Sequence, residues 1–203
     1  MNRISIIFIF LCLFLSSCFY IPKKTGCPDC KDIHVHYEIN TDNYDFLKNL
    51  DTLKSFDYSA KNGEKIKFDV PLITEAQAVD SFIYKECGEC CAFDYFWWSS
   101  KKYRLIDENG SWFINYLLYA SKENKSIKIN FQTKNTEVEM ILYEDKGKTN
   151  VCDSLFETLT LNNISFKNVY MSSNEQNDTI YFTYDLGVIG FSHDGLTYLL
   201  DNI

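Results

Sequence analysis

The sequence is poor in proline, glycine and histidine, and it has no apolar run long enough to cross a bilayer as a helix. Its 203 residues include 3 Pro, 8 Gly and 3 His. So little Gly and Pro excludes collagen-like and low-complexity chains. A Gly-rich phosphate loop and the Gly-x-Ser-x-Gly and His-Glu-x-x-His sequences are also missing, so phosphate-loop and hydrolase chemistry lack support. We therefore expect no enzymatic activity and no cofactor.

The composition is that of a folded, acidic protein. Hydrophobic residues make up 46% of the chain and charged residues 24%, which is too apolar for a disordered protein. The formal net charge is −8. Without residues 1–17, which hold Arg3 and no acid, 19 Lys and Arg stand against 28 Asp and Glu, a net charge of −9. Because nucleic-acid binding needs clustered cations, we expect no nucleic-acid partner.

The N-terminus has the three parts of a secretory signal. A short basic start at Arg3 precedes Ile4 to Leu15, a run of 12 residues that is apolar except for Ser5. As a helix this run would span about 18 Å, short of the ~30 Å hydrocarbon core, so it does not predict a transmembrane helix. Small residues follow at the expected cleavage position.

Leu15-Ser16-Ser17-Cys18 resembles the lipobox of bacterial lipoproteins, which is Leu, two small residues and Cys. The resemblance implies that residues 1–17 are a lipoprotein signal peptide, cut just before Cys18. It also implies that the Cys18 thiol carries a diacylglycerol and that the mature chain bears fatty acyl groups such as palmitate. Each buried CH2 contributes about 0.8 kcal/mol, so several acyl chains anchor a protein stably. The simpler alternative is a secretory signal in which Cys18 is incidental.

Residues 18–32 are interpreted as a tether between the lipid and the folded body. Some Bacteroidota lipoproteins carry an acidic cluster just after the Cys that directs export to the cell surface, and Phe19 to Lys24 contains no acid. The resemblance therefore implies a protein of the cell envelope that faces the periplasm. Its expected partners are the membrane, through the lipid anchor, and other envelope proteins.

Turn sequences and alternation predict paired β-strands through the rest of the chain. Asn62-Gly63 and Asn109-Gly110 stand between strand-like runs, and Asn-Gly is a strong turn signal because both residues tolerate positive φ. Asn162-Asn163 is a third candidate turn. We expect residues 33–203 to form one mainly β domain, either an antiparallel sandwich or an open curved sheet.

One stretch departs from the strand pattern. Tyr44, Leu47, Leu50 and Leu53 lie three residues apart, and Asp42 precedes them as a candidate N-cap. The stretch runs directly into the first predicted hairpin. We therefore expect at most one short helix outside the signal peptide.

The C-terminal residues carry a second resemblance. Ile180 to Leu200 contains aromatic strand residues, then Gly187, two apolar residues, Gly190, an aromatic residue, a polar turn and a final strand. This order is similar to the C-terminal pattern of small uncharacterised lipoproteins of Bacteroidota, in which Trp often stands at the position of Tyr198. The resemblance implies an envelope lipoprotein with a β-rich body, and it implies no activity.

Cysteine is the most distinctive chemical feature. Cys12 leaves with the signal peptide and Cys18 takes the lipid. Six cysteines remain as candidates for disulfides or a metal: Cys27, Cys30, Cys87, Cys90, Cys91 and Cys152. An even count in an exported protein favours disulfides, and a bridge from the tether pair to the Cys87–Cys91 cluster would hold the tether to the body.

Two other interpretations of the thiols stay open. Cys27 to Cys30 and Cys87 to Cys90 are both CxxC pairs, as in tetrathiolate zinc sites, although 56 residues separate them. The thiols could also remain free and buried. Redox catalysis has little support, because neither pair opens a helix after a strand.

Adjacent tryptophans mark the candidate ligand or partner surface. Trp97 and Trp98 lie in an aromatic run, and neighbouring residues on a strand face opposite sides of the sheet. Both could belong to a core, but one of them could lie outside and contact a partner or a glycan. We expect a noncatalytic role in contacts with envelope components. The alternative is a binder of an apolar or glycan ligand in a concave β-sheet.

Overall fold

Twelve strands and one helix form the part of the chain that the structure describes. In the computed structural model, the described residues are 31–38, 44–87, 90–144 and 148–201, without the side chains of residues 70–72, 85–87 and 90–92. The elements are β1 (Ile33–His36), α1 (Asp45–Thr52), β2 (Ser55–Ala60), β3 (Lys65–Cys87), β4 (Cys90–Asp107), β5 (Phe113–Ala120), β6 (Lys125–Gln132), β7 (Glu137–Tyr143), β8 (Ser154–Leu161), β9 (Ile164–Ser173), β10 (Thr179–Thr183), β11 (Gly187–His193) and β12 (Leu196–Leu200).

The strands form one sheet in the order β7-β6-β5-β4-β3-β2-β12-β11-β10-β9-β8, and β1 pairs with β4. Strands β2 to β7 are therefore one meander and β8 to β12 another, joined where β2 pairs with β12. The prediction of a mainly β protein with an open curved antiparallel sheet and one short helix is confirmed. No helix in the described ranges is long and apolar enough to span a bilayer.

The described residues fall into two compact units. The smaller, called the hairpin unit below, contains described residues within 1–35 and 81–95. The larger, called the core unit, contains those within 36–80 and 96–203. The single domain expected over residues 33–203 stays a prediction.

Short turns set the strand pairing where the sequence predicted them. Gly63 and Gly110 have φ of 89° and 66°, and each lies in the turn of a hairpin, β2–β3 and β4–β5. Asn162 and Asn163 have φ of 49° and 68° between β8 and β9. Asn and Gly adopt this left-handed region at little cost, so all three turns follow from local chemistry.

Side chains from the two meanders meet inside the core unit and fill the concave face of the sheet. Phe131 of β6 stacks on Phe191 of β11, with ring centroids 4.5 Å apart. Phe46 of α1 contacts both Tyr116 of β5, at 5.4 Å, and Phe182 of β10, at 5.3 Å. All five side chains are buried. This aromatic packing occupies the space between the meanders.

The helix α1 covers one part of this core. Phe46, Leu47 and Leu50 are buried, whereas Leu53 ends the helix and is 47% exposed. Tyr44 occupies the N-cap position without a side-chain hydrogen bond to the helix, and the candidate cap Asp42 lies outside the described residues. Three-residue spacing therefore identified the helix, but not its ends.

Strand β7 and the segment before β8 lie side by side at the two ends of the strand order. Ile141 N donates to Val151 O at 2.9 Å, and Val151 N donates to Ile141 O at 2.8 Å. Ser172 Oγ of β9 donates to Glu139 O of β7 at 2.8 Å. An isolated bridge, rather than a full ladder, joins the ends of the sheet at this point.

In the hairpin unit, aromatic rings lie along one face of the paired strands. Phe82 and Tyr84 of β3 each contact Phe93 of β4, with centroids 5.8 and 5.6 Å apart. His34 of β1 stacks on Tyr95 of β4 at 4.9 Å, with the two planes 11° apart. Phe82 is 62% exposed and Tyr84 is 47% exposed, so this row of rings lies at the surface.

Candidate functional site

Trp97 and Trp98 point to opposite faces of β4, as their adjacency predicted. Trp97 stacks on His36 at 5.4 Å, on the face that also carries the buried Tyr103. Trp98 packs against Tyr119 of β5 at 5.8 Å on the other face, which is called the outer face below. Both tryptophans are half-buried. The outer face therefore carries an aromatic pair that solvent can reach.

The outer face of β5 is only partly covered. Although β5 is apolar along most of its length, Phe113, Leu117 and Tyr119 are only half-buried on the outer face. In the described part of the chain, long polar side chains flank these three residues, and no second layer covers them. The Arg104 guanidinium lies over the Phe113 ring at 5.2 Å. This exposed strip is where the structure places the strongest candidate site.

A ladder of polar side chains crosses the outer face from β4 to β7. Arg104 Nε donates to Asn115 Oδ1 at 2.9 Å, and Asn115 Nδ2 donates to Asn130 Oδ1 at 3.1 Å. Asn130 Nδ2 then donates to Glu137 Oε1. Asn115 and Asn130 are only 9% and 7% exposed, so the ladder holds their amides in fixed orientations.

An open groove of about 290 Å3 runs along this ladder. Its walls and floor are formed mainly by Lys102, Arg104, Asn115, Leu117, Lys128 and Asn130. The register places Lys102 opposite Leu117, and Leu117 opposite Lys128. Because neighbouring strands lie about 4.8 Å apart, the backbones of the two lysines are about 10 Å apart across Leu117. We call this the outer groove.

Cations dominate the outer groove. Lys128 Nζ lies 2.5 Å from Glu139 Oε2, so that lysine is paired. Lys102 and Arg104 form no ion pair with any other residue that the structure describes. The positive charge of this face contrasts with the net charge of −8 for the whole chain.

A His–Asp pair lies at one end of the core unit. His193 Nδ1 is 3.0 Å from Asp178 Oδ1, and Asp178 is 3% exposed. Burial alone would raise the pKa of Asp178, but hydrogen bonds from Thr136 and His193 outweigh it and hold this pKa below its usual value. The carboxylate therefore joins the loops that follow β6 and β9 to His193 at the end of β11, which is a structural role.

The structure describes the side chain of one candidate cysteine. Cys152 is half-buried against the core and forms no disulfide with a described residue. Burial, with the negative charge of Asp153 beside it, raises the pKa of the Cys152 thiol and disfavours the reactive thiolate. Cys18, Cys27 and Cys30 lie outside the described residues.

The remaining cysteines lie on the strands of the long hairpin. Cys87 ends β3, and Cys90 and Cys91 begin β4, but their side chains are not described. Both the disulfide and the zinc interpretation of these residues stay predictions. Among the described side chains, no group of three or more His, Cys, Asp or Glu could hold a metal ion.

A larger open groove of about 530 Å3 lies elsewhere in the core unit, beside β2 and β12. Its lining includes Ser59, Lys61, Ile164 and Asp201. Asp201 Oδ2 already accepts hydrogen bonds from Ser59 at 2.7 Å and from Lys65 at 3.3 Å. The carboxylate of this groove is therefore satisfied within the protein, and Lys61 is the one cation among its described lining residues, which makes it a weaker candidate than the outer groove.

Comparison with known proteins adds no assignment to this geometry. No protein family, no curated protein and no solved structure matches the chain.

Sequence reasoning found the aromatic part of the outer face and missed the polar part. Lys102 and Arg104 alternate with buried Tyr103 and Leu105, and this alternation indicates that both cations share one face of the strand. Asn115 lies in a strongly apolar strand, where an amide needs a partner. What the sequence does not reveal is the register that joins Asn115 to its neighbours on β4 and β6.

Proposed function

We propose that the protein is a bacterial lipoprotein, anchored in the cell envelope by acylated Cys18, whose body makes noncatalytic contacts with other envelope proteins. The observation that carries the proposal is Leu15-Ser16-Ser17-Cys18 directly after a short apolar run. The C-terminal resemblance to Bacteroidota lipoproteins supports it. The absence of an acidic cluster after Cys18 supports a location facing the periplasm.

The hairpin unit supports the contact role. Phe82, Tyr84 and Ile83 are 62%, 47% and 46% exposed, and Ile33 on β1 is 48% exposed. Clustered exposed apolar side chains of this kind mark interaction surfaces more often than scattered single ones do. The hairpin unit also begins where the predicted tether ends, so an anchored protein would carry this surface close to the membrane.

Metabolic labelling with an alkyne palmitate analogue tests the anchor. The wild-type chain should be labelled and should fractionate with membranes, and Cys18→Ser should abolish both. Cys152→Ser is the matched control and should change neither. A labelled Cys18→Ser protein, or an unlabelled wild-type protein in the soluble fraction, would overturn the proposal.

Site-specific photocrosslinking in intact cells tests the contact surface. A benzoylphenylalanine residue at position 82 should give a reproducible crosslinked protein. The same residue at position 155 is the control, because Leu155 is 57% exposed in the core unit. Crosslinks to lipid alone, or equal protein crosslinks at both positions, would contradict a protein-contacting hairpin unit.

The alternative function, a ligand held in the concave face of the sheet, has less structural support. Aromatic and aliphatic side chains of both meanders fill that face in the core unit, with Phe131 stacked on Phe191 at 4.5 Å. The grooves described above are open to solvent and lie outside this packing.

A further inference from the structure

We propose that the outer groove binds an acidic saccharide, a pyranose ring that carries a carboxylate. The carboxylate would lie between Lys102 and Arg104, and the ring would lie over Leu117 towards the Tyr119–Trp98 pair. This inference does not depend on acylation of Cys18 or on contacts of the hairpin unit.

Charge indicates an anionic ligand. Lys102 and Arg104 lie two residues apart on one face of β4, and neither has an ion-pair partner among the described residues. Of the two nearby acids, Glu139 pairs with Lys128, and Glu137 accepts a hydrogen bond from the neutral amide of Asn130 and keeps its negative charge. The three cations of the groove still outnumber these two carboxylates. An arginine without an ion-pair partner is well suited to a carboxylate, which it can contact with two parallel N–H bonds.

The amide ladder indicates a ligand with hydroxyl groups. Each amide nitrogen has two hydrogens, and Asn115 and Asn130 commit one each to the ladder. Gln132 adds a third amide at the end of the groove. Because the ladder fixes the orientation of the two asparagines, their remaining donors and acceptors are preorganised for hydroxyl groups. A simple inorganic anion would not use this feature.

The floor and the aromatic pair match the apolar faces of a sugar ring. Leu117 lies between Lys102 and Lys128, and Tyr119 follows it on the same face of β5, about 7 Å along the strand. Tyr119 is packed against Trp98 at 5.8 Å, so the two rings form one aromatic surface beside the groove. The groove volume of about 290 Å3 is at the lower limit of small-molecule sites, so it suits a single sugar residue of a longer chain.

Titration of the purified protein with defined tetrasaccharides tests the proposal. The probes are tetragalacturonate, tetramannuronate and a hyaluronan tetrasaccharide, with neutral maltotetraose and inorganic phosphate as comparators, monitored by calorimetry and tryptophan fluorescence. At least one uronate probe should bind with one site per chain, and more weakly as salt increases. The affinity for maltotetraose should be lower by about tenfold or more, because this sugar lacks the charge that the lysine and arginine recognise.

Substitutions in the outer groove localise the site. Lys102→Met should weaken uronate binding about tenfold or more, because Lys102 is the unpaired cation that takes no part in the ladder. Lys167→Met, an exposed lysine of β9, is the matched control and should leave binding unchanged. Glu139→Gln should tighten binding roughly threefold, because it frees Lys128 from its ion pair. Thermal melting should be close to wild type for all three.

Several results would overturn the proposal. They are the absence of binding by every uronate probe, equal affinity for maltotetraose, equal affinity for phosphate alone, or a Lys102→Met protein that binds as well as Lys167→Met. None of these results depends on lipidation or on crosslinking, so failure of this proposal can be distinguished from failure of the proposed envelope role.

Discussion

The two units use the same aromatic residue types in opposite ways. In the core unit, Phe131 and Phe191 are fully buried, because the two meanders supply opposing surfaces. In the hairpin unit, Phe82 is 62% exposed, and rings stack along one face of paired strands without a second layer among the described residues. An aromatic ring stabilises a fold mainly through the area it removes from water, so the first set holds the protein together and the second is available to a partner.

The largest expected contrast is between Phe191→Ala and Phe82→Ala. Phe191 contacts Tyr58, Phe68, Phe131 and Tyr198, and removal of its ring leaves a cavity that costs about 3–5 kcal/mol. Phe82→Ala should cost less than about 1 kcal/mol, because its ring is largely in water already.

Urea unfolding followed by tryptophan fluorescence measures both free energies. Equal losses of unfolding free energy for the two variants would show that the Phe82 ring stabilises the protein as much as the Phe191 ring does. They would also remove the reason to regard Phe82 as a contact residue.

We expect a disulfide to stabilise the hairpin unit, whose described aromatic rings are largely exposed. Asp32, just before β1, accepts a hydrogen bond at Oδ1 from Phe93 N, and His34 of β1 stacks on Tyr95, so both contacts with β4 have a sequence offset of 61. The same offset relates Cys30 to Cys91 in the sequence. We therefore expect a Cys30–Cys91 disulfide, and closing a loop of this size is worth about 4 kcal/mol in the chain-entropy model.

Peptide mapping under non-reducing conditions identifies this bridge. Reduction should increase proteolysis of the hairpin unit and leave the core unit resistant. A Cys27–Cys30 bridge, free thiols at positions 30 and 91, or a stoichiometric zinc ion would show that the strand offset does not set the pairing.

Removal of a tyrosine hydroxyl should also cost more stability in the core unit than in the hairpin unit, although the difference should be smaller than for the phenylalanines. Tyr116 is buried, and its hydroxyl accepts a hydrogen bond from Val188 N at 3.0 Å. Tyr116→Phe leaves that N–H without its partner and should cost about 1–3 kcal/mol. Tyr84→Phe should cost less, because the side chain of Tyr84 is 47% exposed and water can replace the partner of its hydroxyl. Thermal unfolding of both variants in one buffer decides the point, and equal shifts would contradict it.

The stability of the core unit should depend on pH through the ionisation of Asp178. Since its pKa is lowered in the folded state, its contribution is present above the unfolded pKa and is lost as pH falls through the folded value. Asp178→Asn should therefore be destabilised by about 1–2 kcal/mol at neutral pH and approach wild type in acid.

Melting temperatures of Asp178→Asn and of the exposed control Asp185→Asn, measured from pH 7 down to pH 3, test this. A difference between wild type and Asp178→Asn that stays constant over this range would show that hydrogen bonds, and not the charge of Asp178, carry the effect.

The sequence predicted the features of the fold that depend on local chemistry. Asn62-Gly63, Asn109-Gly110 and Asn162-Asn163 predicted the positions of their turns, although only the glycine of each Asn-Gly pair has positive φ, whereas both residues of Asn162-Asn163 do. Alternation predicted the strands of the core unit, and three-residue spacing predicted α1. The length of β3, which runs on to Cys87, did not follow from local pattern, because its second half is exposed and lacks strict alternation.

Features that depend on strand neighbours were beyond sequence reasoning. The adjacency of Trp97 and Trp98 placed one ring outside, but the partner of Trp98 is Tyr119 on β5 only because of the register between these strands. The same register assembles Arg104, Asn115 and Asn130 from three strands into one ladder. A single sequence records the faces of each strand, but not the alignment between strands.

The pairing of β2 with β12 bears on the order of folding. Tyr198, Leu199 and Leu200 pair with Ala60, Ser59 and Tyr58, which lie far from them in the sequence, and this pairing completes the seam between the two meanders. Until it forms, each meander keeps an edge without its partner strand, and such long-range pairing is slow to form. We therefore expect the hairpins within each meander to form first and the joining of β2 to β12 to be a late step in the folding of the core unit.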